Sequence, residues 1–170
     1  MSLRRDRSEP RPLRPGPGAQ NANRAPRGRG QRRSRVLLVE DHPVMRRGLR
    51  LLVNLEPDLE VCGEAEDAKE ALECLCEQRP DVAVVDLTLK TSSGLDLISR
   101  FRARCPQLRI LVVTMHDGID WIRGALQAGA DGYLTKDQSA ERLICAIRCI
   151  LAGQQYLSPR TAQQLKEHAG

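Results

Sequence analysis

The sequence predicts an α/β fold, a doubly wound five-stranded parallel sheet with helices on both faces. Two observations carry that prediction. From residue 35 onward, short apolar runs rich in β-branched residues alternate with segments long enough to be helices. The runs are also continuous rather than alternating apolar and polar, as strands buried on both faces should be. Parallel neighbours need a helical crossover, so the repeat of run and helix winds helices onto both sides of one sheet.

Taken in order, the strongest runs are 36–39, 82–85 and 110–113, with weaker ones at 59–62 and 132–134. Between and after them the spacing predicts helices over roughly 43–55, 67–78, 94–104, 118–129 and 139–152. In the last of these, Ala140, Ile144, Ile147 and Leu151 recur at intervals of four, three and four, which lines one helix face. Asn54, Gly129 and Gly153 stand where a left-handed helix end is easy to form.

Composition divides the 170 residues into three parts. Residues 1–34 hold ten arginines against Asp6 and Glu9, with Pro, Gly, Ser and Asn making up much of the rest. Such a segment buries too little apolar surface to offset its ordering entropy, so a disordered tail is expected, and its Arg-Gly element at 27–30 reads as solvated. The chain's net charge of +5 resides there, leaving 35–170 mildly acidic. Residues 35–153 are expected to form the folded domain and 154–170 a linker segment. Six cysteines include no C-x-x-C pair, which predicts reduced, mostly buried thiols. There is no apolar run before Val36 and none of membrane-spanning length, so a cytoplasmic protein with no membrane partner is expected.

In doubly wound sheets, sites form where loops leave the carboxyl ends of the strands. The residues just past the apolar runs are Glu40 and Asp41 after the first, Asp86 after the third, Thr114 after the fourth and Lys136 after the fifth. Any one of them would suit a solvated rim, but four strand ends converging with three acids, a hydroxyl and an amine form a specific constellation. Clustered carboxylates need a counter-charge, and oxygen ligands suit a hard octahedral ion such as Mg²⁺.

With these residues in place, 35–152 resembles the receiver domain of two-component response regulators. The matching pieces are Val39-Glu40-Asp41 with His42-Pro43, Asp86 with Gly94 eight residues on, Thr114, and Ala128 through Lys136. The run Ala130-Asp131-Gly132-Tyr133-Leu134 and the exit Leu157-Ser158-Pro159 resemble the LuxR/NarL-type subclass. The resemblance implies a flavodoxin-like strand order of 2-1-3-4-5 and a phosphorylation-dependent switch. It implies Asp86 as phosphoacceptor from a sensor histidine kinase. Mg²⁺ would be held by Asp41, Asp86 and the backbone carbonyl of Thr88, with Glu40 acting through coordinated water. Lys136 would pair with the phosphoryl group, Thr114 and Tyr133 would switch, and Thr88, Met115 and His116 would modulate its lifetime.

Three positions depart from the commonest pattern of the family. Lys90 stands in place of a proline, which predicts a looser or differently turned loop after Asp86; Asp137 stands in place of another, which makes a cis peptide after Lys136 less secure; and Met115 replaces a small residue in a way that would narrow access to the site. Trp121 and Phe101, the single tryptophan and phenylalanine, read as packing elements. A homodimer is expected through the fifth helix with either the first or the fourth. The segment 158–170 is too short for a helix-turn-helix, so DNA contact is expected only through an output domain absent from this chain. Two other functions fit less well. A degenerate receiver acting as an interaction module would not need the full acid set, and a Mg²⁺-dependent phosphohydrolase would want an acid where Thr88 stands.

Overall fold

The computed structural model describes residues 32–168. The expected tail, with its element at 27–30, lies outside the described residues as far as Gln31.

The elements run in the order β1 (Ser34–Val39), α1 (Pro43–Asn54), β2 (Leu59–Ala65), α2 (Ala68–Gln78), β3 (Val82–Val85), α3 (Gly94–Arg104), β4 (Arg109–Thr114), α4 (Ile119–Ala128), β5 (Gly132–Thr135), α5 (Lys136–Leu151), β6 (Tyr156–Leu157) and α6 (Pro159–Glu167). All the strands are parallel, in the order β2-β1-β3-β4-β5-β6. The doubly wound sheet and the order 2-1-3-4-5 therefore stand, with one strand more than expected.

Strand periodicity divides the core into two layers, because successive side chains point to opposite faces. Leu37, Val39, Ala83, Val85, Ile110, Val112 and Tyr133 face one way and pack with Leu72 and Leu75 of α2, Leu97 and Phe101 of α3 and Ile122 of α4. Val36, Leu38, Val82, Val84, Leu111, Val113 and Leu134 face the other and meet Leu49 and Val53 of α1 and Leu143, Ile147 and Ile150 of α5. Phe101 is thus the packing element expected of it.

Helix starts follow side-chain chemistry. Asp67 accepts from the Glu70 N–H at α2, Ser93 from that of Asp96 at α3, and Ser158 from that of Thr161 at α6. Helix ends depart from expectation at two points. Asn54 is the last residue of α1, its C-cap Leu55 is right-handed (φ −71), and the Asn54 side chain instead accepts a hydrogen bond from the Val61 N–H. The left-handed end falls at Arg79 (φ 46) after α2, where no glycine marks it, while Gly129 (φ 109) caps α4 as expected.

Helix α5 begins at Lys136, directly off β5, and not at residue 139. Its apolar stripe starts only at Ala140 because the first turn lies at the sheet edge, with Lys136 directed among the acids. The segment expected as a linker carries β6 and α6. Tyr156 and Leu157 extend the sheet beside Gly132 and Tyr133, a ladder too short to register as an apolar run. Helix α6 packs on α4, with Leu157 and Leu165 against the core and Arg160 paired to Asp117 at 2.6 Å. The six cysteines are unpaired, but the expected burial does not hold: Cys76 and Cys145 are exposed and the other four are only partly buried.

Candidate functional site

The carboxyl ends of β1, β3 and β4 and the start of α5 bring Glu40, Asp41, Asp86, Thr114 and Lys136 together, as the sequence order predicted. The three acids and Thr114 are all buried. Lys136 Nζ lies 2.7 Å from Glu40 Oε2 and 2.8 Å from Asp86 Oδ2. Burial alone would lower the Lys136 pKa, but the hydrogen bonds it donates to Asp86 and Glu40, together with their charges, outweigh it and raise the pKa above the ordinary lysine value. The ammonium is thus held as a cation between two acids.

Asp41 is arranged differently. Its Oδ2 accepts from the Lys90 N–H at 2.8 Å. Its Oδ1 is buried without a hydrogen-bond partner, for although His42 Nδ1 comes within 2.8 Å, the imidazole and the His42 N–H are aligned on Glu40 Oε1, each at 3.0 Å. An unsatisfied buried carboxylate oxygen is costly. One ligand atom from each of Glu40, Asp41, His42 and Asp86 lies within 4.8 Å of the others. Three acids against one ammonium, with one oxygen left open, fit a hard divalent cation that takes oxygen ligands.

The loop after β3 is set by backbone contacts. The Thr88 N–H donates to Asp86 Oδ1 at 3.1 Å, and Thr88 bridges to Ser93. The Lys90 bond to Asp41 is one that proline, lacking an N–H, could not make. The departure at this position therefore ties the loop to the site, where a looser loop was expected. Gly94 opens α3 against the same loop. A Cβ there would stand 2.4 Å from the Asp86 carbonyl oxygen and 2.5 Å from Leu87 Cα.

On the β4 side, Thr114 Oγ1 lies 3.5 Å from the His116 N–H that donates to it. Tyr133 is fully buried, its hydroxyl donating to the His116 carbonyl at 2.9 Å. Burial first, then the negative charges of Asp117 and Asp86, push its phenol pKa well up, so it stays a neutral donor. His116 also meets Thr88, with Nε2 and Oγ1 2.8 Å apart. Met115 is 71% exposed and lines an open apolar groove of about 660 Å³ between α1 and α5, beside Lys136.

Sequence reasoning placed His42 in the motif without a role, and missed the Lys90 amide and the part played by Trp121, which is 39% exposed and stacks on His116 where a packing role was expected. Its only sequence signal is its position in the first turn of the helix after Thr114.

Comparison with known proteins agrees with this architecture. The response regulator receiver domain family matches residues 36–148. A nitrate/nitrite response regulator protein homolog of Haemophilus influenzae is 38% identical over 137 residues, 81% of this chain and 66% of that protein. The DNA-binding transcriptional activator DevR/DosR of Mycobacterium tuberculosis is 39% identical over 131 residues, 77% of this chain and 60% of that protein. The chain thus spans roughly three fifths to two thirds of the length of these relatives. Among solved structures, a LuxR-family two-component response regulator from Aurantimonas sp. SI85-9A1 superposes with a TM-score of 0.77 at 40% identity, covering 81% of this chain and 98% of that one. The fold, the acids at its strand ends and these matches agree: the chain belongs to the response regulator receiver domain family, with LuxR/NarL-type regulators among its relatives.

Proposed function

We propose that this receiver is a switch that accepts a phosphoryl group on Asp86 from the phosphohistidine of a sensor histidine kinase. An Asp86 carboxylate oxygen attacks phosphorus, the P–N bond breaks, the imidazole returns to the kinase, and an acyl phosphate is left. Asp41, Asp86 and the Thr88 carbonyl would hold Mg²⁺, with Glu40 acting through coordinated water. When bound, the ion neutralises charge on the phosphoryl oxygens, where most of the catalysis of such transfers lies. Lys136 follows the incoming group as a flexible point charge, exchanging Asp86 Oδ2 for a phosphoryl oxygen. Thr114 turns its hydroxyl toward the same group, and Tyr133 and His116, bonded to each other, carry the change to α4 and β5. Thr88, Met115 and His116 ring the approach and set the lifetime.

The observation that carries this reading is the Lys136 ammonium bridging Glu40 and Asp86 beside the open oxygen of Asp41. The test is phosphotransfer from a phosphorylated kinase or acetyl phosphate, followed by intact mass. The wild type should gain one phosphoryl group only with Mg²⁺, and Asp86→Asn none. Phosphorylation of the variant, or transfer without metal, would sink the assignment.

The output follows the relatives. A cytoplasmic switch that acts on transcription through a DNA-binding domain outside the matched region agrees with the DNA-binding activator among them; among the described residues no helix is long and apolar enough to cross a membrane. For a homodimer, α5 with α1 is favoured over α5 with α4. Helix α6 already packs on α4, whereas α1 leaves Val44 and Leu51 exposed, with Leu55 exposed just past its end. Leu51→Asp should abolish dimers in analytical ultracentrifugation of the phosphorylated protein. A dimer that survives it and is lost on substituting α4 would reverse the choice.

A further inference from the structure

The rim of the acid pocket holds one arrangement in which the phosphoryl chemistry gives Thr88 and His116 a part but leaves Trp121, stacked on His116, without one. Thr88 and His116 sit on different loops, yet Oγ1 and Nε2 meet at 2.8 Å. The imidazole lies flat on the indole of Trp121, with ring centroids 4.1 Å apart and planes 12° from parallel. Left to itself, a loop histidine would exchange among rotamers. The indole face removes those alternatives and aims Nε2 at Thr88. The rest of His116 is fixed too, its carbonyl by Tyr133 and its N–H toward Thr114. Thr88 in turn is bonded through its own N–H to Asp86 Oδ1. The side-chain bridge therefore links the loops after β3 and β4 beside the Asp86 carboxylate, while Lys136 and Glu40 occupy its other side.

We propose that Trp121 is a positioning residue for the lifetime of the aspartyl phosphate. Its indole locks His116 into the bridge with Thr88, and the closed bridge restricts the approach of water. Hydrolysis needs a water oxygen in line with the bond to be broken. The P–O bond to Asp86 then breaks, orthophosphate leaves, the carboxylate is restored, and the water's proton passes to solvent. Removing the indole frees the imidazole and opens that approach, whereas phenylalanine keeps a face for it to stack on. This inference rests on Asp86 being the phosphoacceptor.

To test it, wild type, Trp121→Ala, Trp121→Phe, His116→Ala and the Trp121→Ala/His116→Ala double variant are loaded with acetyl phosphate and Mg²⁺, freed of donor and followed for loss of the phosphoryl mass. Trp121→Ala and His116→Ala should each hydrolyse about three- to tenfold faster, the double variant no faster than either, and Trp121→Phe within about twofold of wild type. A wild-type rate in Trp121→Ala, or a double variant equal to the product of the singles, overturns the inference and leaves the phosphoacceptor intact. Failure of the wild type to take phosphate overturns the phosphoacceptor instead. The stack is then decided by fluorescence, because Trp121 is the chain's single tryptophan. Thr88→Val should change its emission lifetime if bridge and stack are one unit, and an unchanged lifetime overturns that coupling.

Discussion

Gly94→Ala is expected to lose about 3 kcal/mol of stability and most of its phosphorylation, although it adds a single methyl group far from solvent. The added carbon would stand 2.4 Å from the Asp86 carbonyl and 2.5 Å from Leu87 Cα, distances at which backbone must move. Two movements are open. Either α3 lifts from the sheet, pulling Leu97, Ile98 and Phe101 out of the core they fill, or the Asp86–Leu87 peptide retreats and carries the acceptor away from Lys136. The first lowers the urea midpoint and the second lowers the transfer rate, so the two measurements together say which occurs. A variant with the wild-type midpoint and transfer rate would mean that the helix start has slack that the close approach denies.

Lys136→Met is expected to cost about 3–5 kcal/mol without added metal, because it leaves Glu40 and Asp86 buried with no counter-charge. Mg²⁺ should restore much of that loss. A cation that binds only the folded state stabilises it, and the cluster, now one positive charge poorer, should bind it more tightly than wild type does. Transfer should nevertheless fall on the order of a hundredfold, since the ammonium that steadies the phosphoryl oxygens is gone. Urea unfolding with and without Mg²⁺, beside phosphotransfer, separates the two roles. A Mg²⁺ response no larger than wild type would show that Lys136 does not balance the acids. For the wild type, the raised Lys136 pKa means that the lysine's contribution is complete below the ordinary lysine range and disappears only as pH rises through the folded-state value. Across neutral pH it should be flat.

The variants differ in what they owe to the sequence. Lys136 was recognisable as a site residue because it follows a strand-like run and three other strand ends also offer charge or hydroxyl. Gly94 was recognisable only as part of a pattern, because a glycine's need for space is invisible until the backbone it approaches is in place. The same holds for Lys90. As a side chain it reads as a departure, yet its contribution is a backbone N–H to Asp41 that no side-chain pattern announces.

By itself the sequence determined the two-faced sheet, its strand order through the resemblance, and the convergence of Glu40, Asp41, Asp86, Thr114 and Lys136 on one edge. Apolar periodicity is a local signal of burial, and strand ends inherit their position from it. Only the tertiary structure decided the strand at Tyr156–Leu157, the left-handed end at Arg79, the start of α5 at Lys136 and the joining of Thr88, His116 and Trp121. Each depends on where the packed elements place residues with no shared period. A two-residue strand forms because an edge is waiting for it, and a threonine meets a stacked histidine because two loops are brought side by side.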